Sequence, residues 1–374
     1  MRFPEFADEW KQTTLGEVLD YEQPTNYIVR NTEYSNNVSL IPVLTANKSF
    51  ILGYTYEQDA YNKGRCIILD DFTLDIKFVN FPFKVKSSAI KILVAKDGTN
   101  ILFIYNCLLF LRLSEQEKDH KRHYISEIQP LIVALPSLSE QEKIAGFLSL
   151  IDERIQSCSE TIKERKREKA ALLNQLFSQK LRFPQFSDEW QQTTLGEIAE
   201  MNSGGTPSTT NPNYYGGSIP FLSISDISKC GKYIYQTENY ITKEGLRNSS
   251  ARLFLRDTIM FAMYASVGKV AITKIPISCS QAILGISSTK VYQIFLYYVL
   301  IVKARDYSKF SQTGTQMNLS KSLMERLSIS LPSLAEQQKI ADFLSLIDER
   351  IDLEEQLLQE YEQQKKYLLR NMFV

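Results

Sequence analysis

Along residues 340–372 the apolar positions fall four and three apart: Ile340, Leu344, Ile347 and Ile351, then Leu358, Tyr361, Leu368 and Met372, with Glu354 and Lys365 interrupting. Residues 144–176 carry a similar stripe: Ile144, Leu148, Ile151, Ile155, Cys158 and Ile162, then Leu172 and Leu176, broken by Arg165 and Lys169. A seam of that spacing, held over several turns, predicts two heptad helices. Each would be about 40 residues and about 60 Å long. Both open on Pro-Ser-Leu-x-Glu, so Ser137 with Glu140 and Ser333 with Glu336 have capping-box spacing. Thr14 with Glu17 and Thr194 with Glu197 predict shorter helices by the same signature. The two long helices are expected to pair antiparallel about a pseudo-twofold axis. The alternative is that each stripe packs on its own globular domain. The longest apolar stretch, near Tyr292–Val302, is too short for a bilayer, which needs about 20 residues, and reads as a core helix.

The chain repeats itself. Residues 2–20 recur at 182–200 with thirteen of nineteen positions identical, and residues 135–155 recur at 331–351 with eighteen of twenty-one identical. Between the copies lie segments 21–134 and 201–330 with almost no visible similarity. Shared flanks around unlike inserts suggest one task done twice on different targets.

At 374 residues the chain has room for two or three domains of ordinary composition. Its five Cys are dispersed, with no C-x-x-C pair, and only two His occur, so a zinc site is not expected. This Cys usage fits a reducing cytoplasm. The N-terminal MRFPEFADEW has no apolar run and does not read as a signal peptide. Net charge is zero, which at first argues against nucleic acid. Division by segment reverses that. Residues 201–330 hold 14 Lys+Arg against 6 Asp+Glu, whereas residues 21–134 hold 13 against 12, and the C-terminal helix 331–374 holds 5 against 9. The second insert is strongly basic; the first is only locally so, at Lys84, Lys86, Lys91 and Lys121-Arg122.

Catalytic motifs are lacking. Asn211-Pro212-Asn213-Tyr214 and Asn80-Phe81-Pro82-Phe83 only approach the N-P-P-Y signature of amino-methyltransferases, and no cofactor loop accompanies them. Gly268-Lys269 has neither the upstream Gly nor the following Ser or Thr of a phosphate loop. Ser203-Gly204-Gly205-Thr206-Pro207 reads as the start of a flexible loop. His120 and His123, without a partnered nucleophile, read as polar or phosphate contacts.

These residues bring a family into view. LPSLxEQxKIAxFLSLIDERI, present twice, resembles the shared region that follows each target-recognition domain in specificity subunits of type I restriction–modification systems. The W-x-x-x-x-L-G-E pattern at Trp10–Glu17 and Trp190–Glu197 resembles the start of each half. SGGTPS, YYGG, IPFLSISD and GTQMNLS in the second half, and IPVLTANKSFILGY, FPFKVKSSAIKIL and HKRHYIS in the first, resemble recognition-domain types of that family. The resemblance covers nearly the whole chain. It implies an α+β fold: two globular α/β recognition domains separated by two long helices that form an antiparallel coiled coil, with pseudo-twofold duplication.

The expected domains are 1–134 and 181–330 for target recognition, with 135–180 the central helix and 331–374 the C-terminal helix. The resemblance also implies a chain non-catalytic by itself. It would read a bipartite, asymmetric site in double-stranded DNA and dock methyltransferase subunits, two of them, and through these the restriction/translocase subunits. S-adenosylmethionine, ATP and Mg2+ would sit on those partners, none on this chain; no metal and no membrane are expected. The competing class is a coiled-coil scaffold that does not bind DNA.

Polar and basic loop residues are the candidate DNA contacts, since cations bind phosphates and amides and hydroxyls read base edges. In the first half they are Asn47, Lys48, Lys84, Lys86, Ser87, His120, Lys121, Arg122 and His123. In the second they are Ser203, Thr206, Ser208, Tyr214, Tyr215, Tyr264, Ser266, Lys269, Gln312, Thr315, Gln316 and Asn318. Ile144, Leu148, Ile151, Ile155, Ile340, Leu344, Ile347 and Ile351 are the candidates for the coiled coil and subunit docking.

Overall fold

The structure, a computed structural model, describes residues 1–46, 49–113, 121–264, 266–311 and 319–373. The chain forms two compact units: Met1–Ser159 with Gln356–Val374, and Glu160–Glu355. The central helix runs Leu138–Phe177 (40 residues) and the C-terminal helix Leu334–Met372 (39 residues), so each contributes to both units.

In the first unit the repeated N-terminal module gives strand Lys11–Thr14, paired antiparallel with Ile132–Leu135, and the short helix Leu15–Val18. The Thr14 N–H donates to the Glu17 carboxylate at 2.9 Å. The main sheet has four strands in the order Leu19–Glu22, Ile90–Ala95, Cys66–Asp70 and Ile76–Val79, all antiparallel. Alternation along its apolar strands sends side chains to two different cores. Ile67, Leu69 and Leu93 join the helix Ile101–Leu111 and the long helices. Cys66, Ile68, Ile90 and Ile92 join Leu44 and Val85 of a three-stranded sheet made of Ile51–Thr55, Ile41–Leu44 and Lys84–Val85.

The second unit repeats this plan on a different sequence. Gln191–Thr194 pairs with Ser328–Leu331. The main sheet runs Glu200–Ser203, Ile283–Ser287, Ile259–Ala262 and Val270–Thr273, extended by a parallel edge strand Tyr233–Ile234. The small sheet is Asn239–Ile241, Tyr215–Leu222 and Ser278–Cys279. Ile259, Phe261, Leu284 and Ile286 face the helices, while Met260, Ala271 and Ile283 face the small sheet. The apolar stretch at 292–302 is a core helix, Gln293–Ser311, with Phe295, Leu296, Tyr298 and Leu300 buried. Among the described residues no helix is long and apolar enough to cross a membrane.

Both readings of the heptad seam hold in part. Ile340 and Leu344 share one core with Phe295 and Leu300 of their own domain and with Leu173 and Leu176 of the central helix. Ile144, Leu148 and Ile151 likewise share a core with Phe103 and with Leu368 and Met372. The expected seam position Leu172 gives way to Leu173, because a straight α-helix drifts against a 3.5-residue repeat. Two of the four polar interruptions make ion pairs across the helices: Lys169 holds Asp348 and Lys365 holds Asp152. In each unit a lysine from one long helix meets the aspartate of the other's Leu-Ile-Asp-Glu-Arg motif. In the second unit Lys166 also pairs with Glu355; partners rise along one helix while they fall along the other, so the helices are antiparallel.

The capping boxes of the long helices are only half made. The Glu140 and Glu336 N–H groups donate to Ser137 and Ser333 at 3.4 and 3.3 Å. Their carboxylates do not reach back, because Arg2 binds Glu140 with two hydrogen bonds at 2.7 Å and Arg182 binds Glu336 with two at 2.8 Å. A bidentate guanidinium outcompetes a single backbone N–H.

Candidate nucleic-acid interface

Hydrogen bonds define one locus at matching places in the globular parts of the two units. Where the small sheet's third strand ends, Lys86 N–H donates to the Leu44 carbonyl and Ser280 N–H to the Leu222 carbonyl, both at 3.1 Å. At the end of a main-sheet strand, Asp71 N–H donates to Ala89 and Met263 N–H to Ala282, both at 2.8 Å. A third segment arrives on those same residues: His123 N–H donates to the Asp71 carbonyl at 3.0 Å, and Leu319 N–H to the Met263 carbonyl at 3.2 Å. Thus His123 corresponds to Leu319 and Asp71 to Met263, although the local sequences are unlike.

In the first domain this brings together two candidate segments that are distant in sequence. Lys86 and Ser87 are exposed, as are Lys121 and Arg122. The Arg122 guanidinium donates to the Ser88 carbonyl at 3.3 Å and lies 5.6 Å from the Phe72 ring centre. Lys121 pairs with Glu127 at 3.3 Å. Two other expected contacts are internal. Lys84 is fully buried and pairs with Glu57 at 2.9 Å. The Asn31 N–H above all, with Lys84 and the Arg30 N–H, holds the Glu57 carboxyl down at about 2. His123 is 1% exposed, its Nδ1 lying 2.8 Å from Glu127. Lys91, part of the apparent local basicity, is buried 3.5 Å from Asp71. Lys84 and Lys91 are thus each paired with an acid inside the fold. Asn47, Lys48 and His120 lie outside the described residues.

In the second domain Ser203 ends a strand and the loop after it crosses close backbone. Gly204 N–H donates to Ile283 and Gly205 N–H to Cys279. A Cβ on Gly204 would sit 2.3 Å from the Cys279 carbonyl oxygen, and one on Gly205 2.4 Å from the Ser250 carbonyl carbon. The glycines there serve close approach. Thr206 Oγ1 donates to Gln281 Oε1 at 2.5 Å, Ser208 pairs with Thr210, and Tyr215 Oη donates to the Pro207 carbonyl at 2.7 Å. Tyr214 is the last residue of the turn Pro212–Tyr214, its carbonyl accepting from the Thr242 N–H.

Gly268 turns the chain at φ +83° between two main-sheet strands, and Lys269 after it is exposed. The Gly-Lys pair is thus a strand connection. Ser266 accepts from Ser228 at 3.2 Å, and Tyr264 is half-buried on the same turn. Gln312, Thr315, Gln316 and Asn318 lie outside the described residues; in sequence they immediately precede Leu319.

Sequence reasoning missed Gln281 and Asp71. Gln281 sits in the short turn between Ser278–Cys279 and Ile283–Ser287, where only the strand pairing reveals its place beside Thr206. Asp71 is 1% exposed; its signal was an acid ending an apolar strand while Lys91 interrupted another. Among the described residues no cluster of His, Cys, Asp and Glu could hold a metal.

Six of the eight expected coiled-coil positions are buried, while Ile155 and Ile347 are half-buried. Four outward leucines fall at twin places in the repeat, Leu138 and Leu334, 44% and 62% exposed, and Leu150 and Leu346, 60% and 65% exposed, whereas the exposed Leu353 and Leu357 of the C-terminal helix have no leucine twin.

Known proteins share this arrangement. The family model for the type I restriction modification DNA specificity domain matches twice, at residues 7–165 and 187–363. The chain is 32% identical over 360 residues to the EcoR124I/EcoR124II specificity subunit of Escherichia coli, covering 91% of this chain and 86% of that protein. It is 32% identical over 191 residues to the MjaIX specificity subunit of Methanocaldococcus jannaschii, covering 50% of this chain and 44% of that one. The fold is similar to the crystal structure of the type I restriction–modification S subunit from M. genitalium, with TM-score 0.67 and 17% identity across 98% of this chain and 96% of that one. With two family domains in tandem and a relative that matches nearly end to end, the chain belongs to the type I restriction–modification specificity subunits, and its two halves are target-recognition domains.

Proposed function

We infer that the chain reads a bipartite, asymmetric site in double-stranded DNA, one half-site per recognition domain. The observation that carries this is the shared locus. One backbone framework presents Lys86, Ser87 and Arg122 in the first half and Thr206, Gln281, Ser266 and Lys269 in the second. Different donors and acceptors on one scaffold read different bases, so the composite site need not be palindromic. Lys86 and Lys269 are suited to phosphates, and Gln281 and Arg122 to base edges.

The recognition domains would comprise 1–134 and 181–330, and the helices between and after them the spacer. Twin exposed leucines, Leu138/Leu334 and Leu150/Leu346, favour two copies of one partner, the methyltransferase subunit. Restriction/translocase subunits would join through these, and S-adenosylmethionine, ATP and Mg2+ would reside on the partners. A coiled-coil scaffold without DNA accounts for the helices but leaves the duplicated polar locus without a use.

The test is adenine-methylation mapping of genomic DNA with the chain and its methyltransferase subunit co-expressed. Replacing residues 201–330 by another recognition segment is expected to change one half of the methylated motif and leave the other. An unchanged motif, or methylation by this chain alone, overturns the reading.

A further inference from the structure

Two carboxylates contact the arriving segment of the first recognition domain: Glu127, four residues along from His123 and half-exposed, and the buried Asp71, which reaches it from a main-sheet strand end. Its Oδ1 accepts the N–H of His123 at 3.1 Å and of Tyr124 at 2.7 Å. Its Oδ2 lies 3.5 Å from the buried Lys91 Nζ and 3.6 Å from the Arg122 guanidinium. Lys91 in turn donates to Gln23 Oε1 at 3.2 Å, so the ion pair is anchored on its far side as well. The carboxylate is 1% exposed, whereas the Arg122 side chain is 48% exposed. One buried acid therefore fixes the backbone beneath an exposed guanidinium and orients that guanidinium from behind. The Phe72 ring and the Ser88 carbonyl hold it from the sides. The corresponding residue of the second domain, Met263, offers no such anchor.

We propose that Asp71 is a positioning residue for DNA reading by the first recognition domain: it presents Arg122 as that domain's principal cationic reader. The proposal rests on the DNA-reading function inferred above. A guanidinium aimed in advance loses less side-chain entropy on binding than one that must be ordered by the DNA. Arg122 is thereby suited to guanine O6 and N7, or to a phosphate at a fixed register. The two acceptors differ in their consequence: a base contact changes discrimination at one base pair, and a phosphate contact changes the salt dependence.

The experiment uses the full chain with its methyltransferase subunit and duplexes carrying the methylation-mapped motif, with single base changes in either half-site. Asp71→Asn keeps an oxygen for the two backbone N–H groups but removes the charge behind Arg122. Asp71→Asn and Arg122→Gln are each expected to weaken binding about tenfold and to lose discrimination in the first half-site only. The double variant should be no worse than Arg122→Gln alone, because Asp71 acts through Arg122. Asp71→Asn/Lys91→Met, which removes both buried charges together, should behave like Asp71→Asn and covers the case in which the single variant does not fold. If Arg122→Gln loses first-half discrimination while both Asp71 variants keep it, or if the losses add, the positioning role is overturned and DNA reading stands. If Arg122→Gln leaves binding, salt dependence and discrimination unchanged, this face does not read DNA and both inferences fall for the first half.

Discussion

Apart from one edge strand added in the second, the two recognition domains share a strand order on unlike sequences, and the bonds at their shared locus explain how both can be true. All six hydrogen bonds that pin it run from backbone N–H to backbone carbonyl, at 2.8–3.2 Å. Such bonds need no particular side chain. Lys86 can stand where Ser280 stands, Asp71 where Met263 stands and His123 where Leu319 stands without moving the frame. The repeated flanks behave in the opposite way. There the side chains themselves make the contacts, as in Arg2 with Glu140 and Arg182 with Glu336, and those residues are the ones the repeat keeps.

The largest expected effect exposes a difference hidden inside the repeat. Asp152 and Asp348 occupy the same motif position and each meets a lysine of the other long helix. Asp348 is deeper, with its side chain 9% exposed against 38% for Asp152. It also accepts from Tyr298 and faces Lys232, itself donating to Ser345 at 2.7 Å. Burial above all pulls the Lys232 ammonium below its ordinary range, with Asp348 opposing that shift. Asp348→Ala would strand a buried cation and should cost about 3–5 kcal/mol. Asp152→Ala should cost about 1 kcal/mol or less, as a part-exposed pair. Urea unfolding of both variants measures this; equal losses would mean that the network around Lys232 adds nothing.

Much of the frame was legible beforehand because it is written in period and repetition. The seam Ile340–Ile351 and the helix at 292–302 follow from spacing alone. What was illegible depends on partners distant in sequence. Lys84 and Lys86 look alike in FPFKVKSS and have the same parity, yet the strand ends at Val85, so Lys84 stays inside on Glu57 while Lys86 lies beyond the strand in solvent. Glu140 carries the capping signature, and only the fold brings Arg2, 138 residues away, to take its carboxylate. Local sequence states which groups are present, and tertiary pairing decides which of them remain available to DNA.

A smaller effect is expected where the domains leave the first main-sheet strand. Strand pairing matches Tyr21 with Met201, so Pro24 corresponds to Gly204. Pro24 opens a short 3-10 turn, whereas Gly204 passes against the Cys279 and Ser280 carbonyls. Gly204→Ala should overpack that crossing and cost about 1–3 kcal/mol. Gly64→Ala, where a Cβ meets nothing within 4 Å but φ is +99°, supplies the contrast: its cost is backbone strain alone, about 1 kcal/mol. A thermal melt of Gly204→Ala no lower than that of Gly64→Ala would show that the loop gives way freely.

The smallest effect should have opposite signs in the two domains. Lys84 and Ser278 occupy equivalent places, each beside the central strand of the small sheet, opposite Val43 and Phe221. Both are fully buried. Lys84 has Glu57, whereas the Ser278 hydroxyl has no hydrogen-bond partner. Ser278→Ala removes an unpaired polar atom and should be neutral or slightly stabilising. Lys84→Met leaves Glu57 with only its backbone donors and should destabilise. Because Glu57 titrates at about 2 when folded and nearer 4.5 in an unperturbed chain, its contribution is present above about pH 4.5 and fades as pH falls toward 2. The gap between wild type and Lys84→Met in denaturant should therefore narrow over that window, while Ser278→Ala keeps a constant offset. A gap unchanged down to pH 2 would mean that Lys84 stabilises the domain by packing its methylenes and not by its charge.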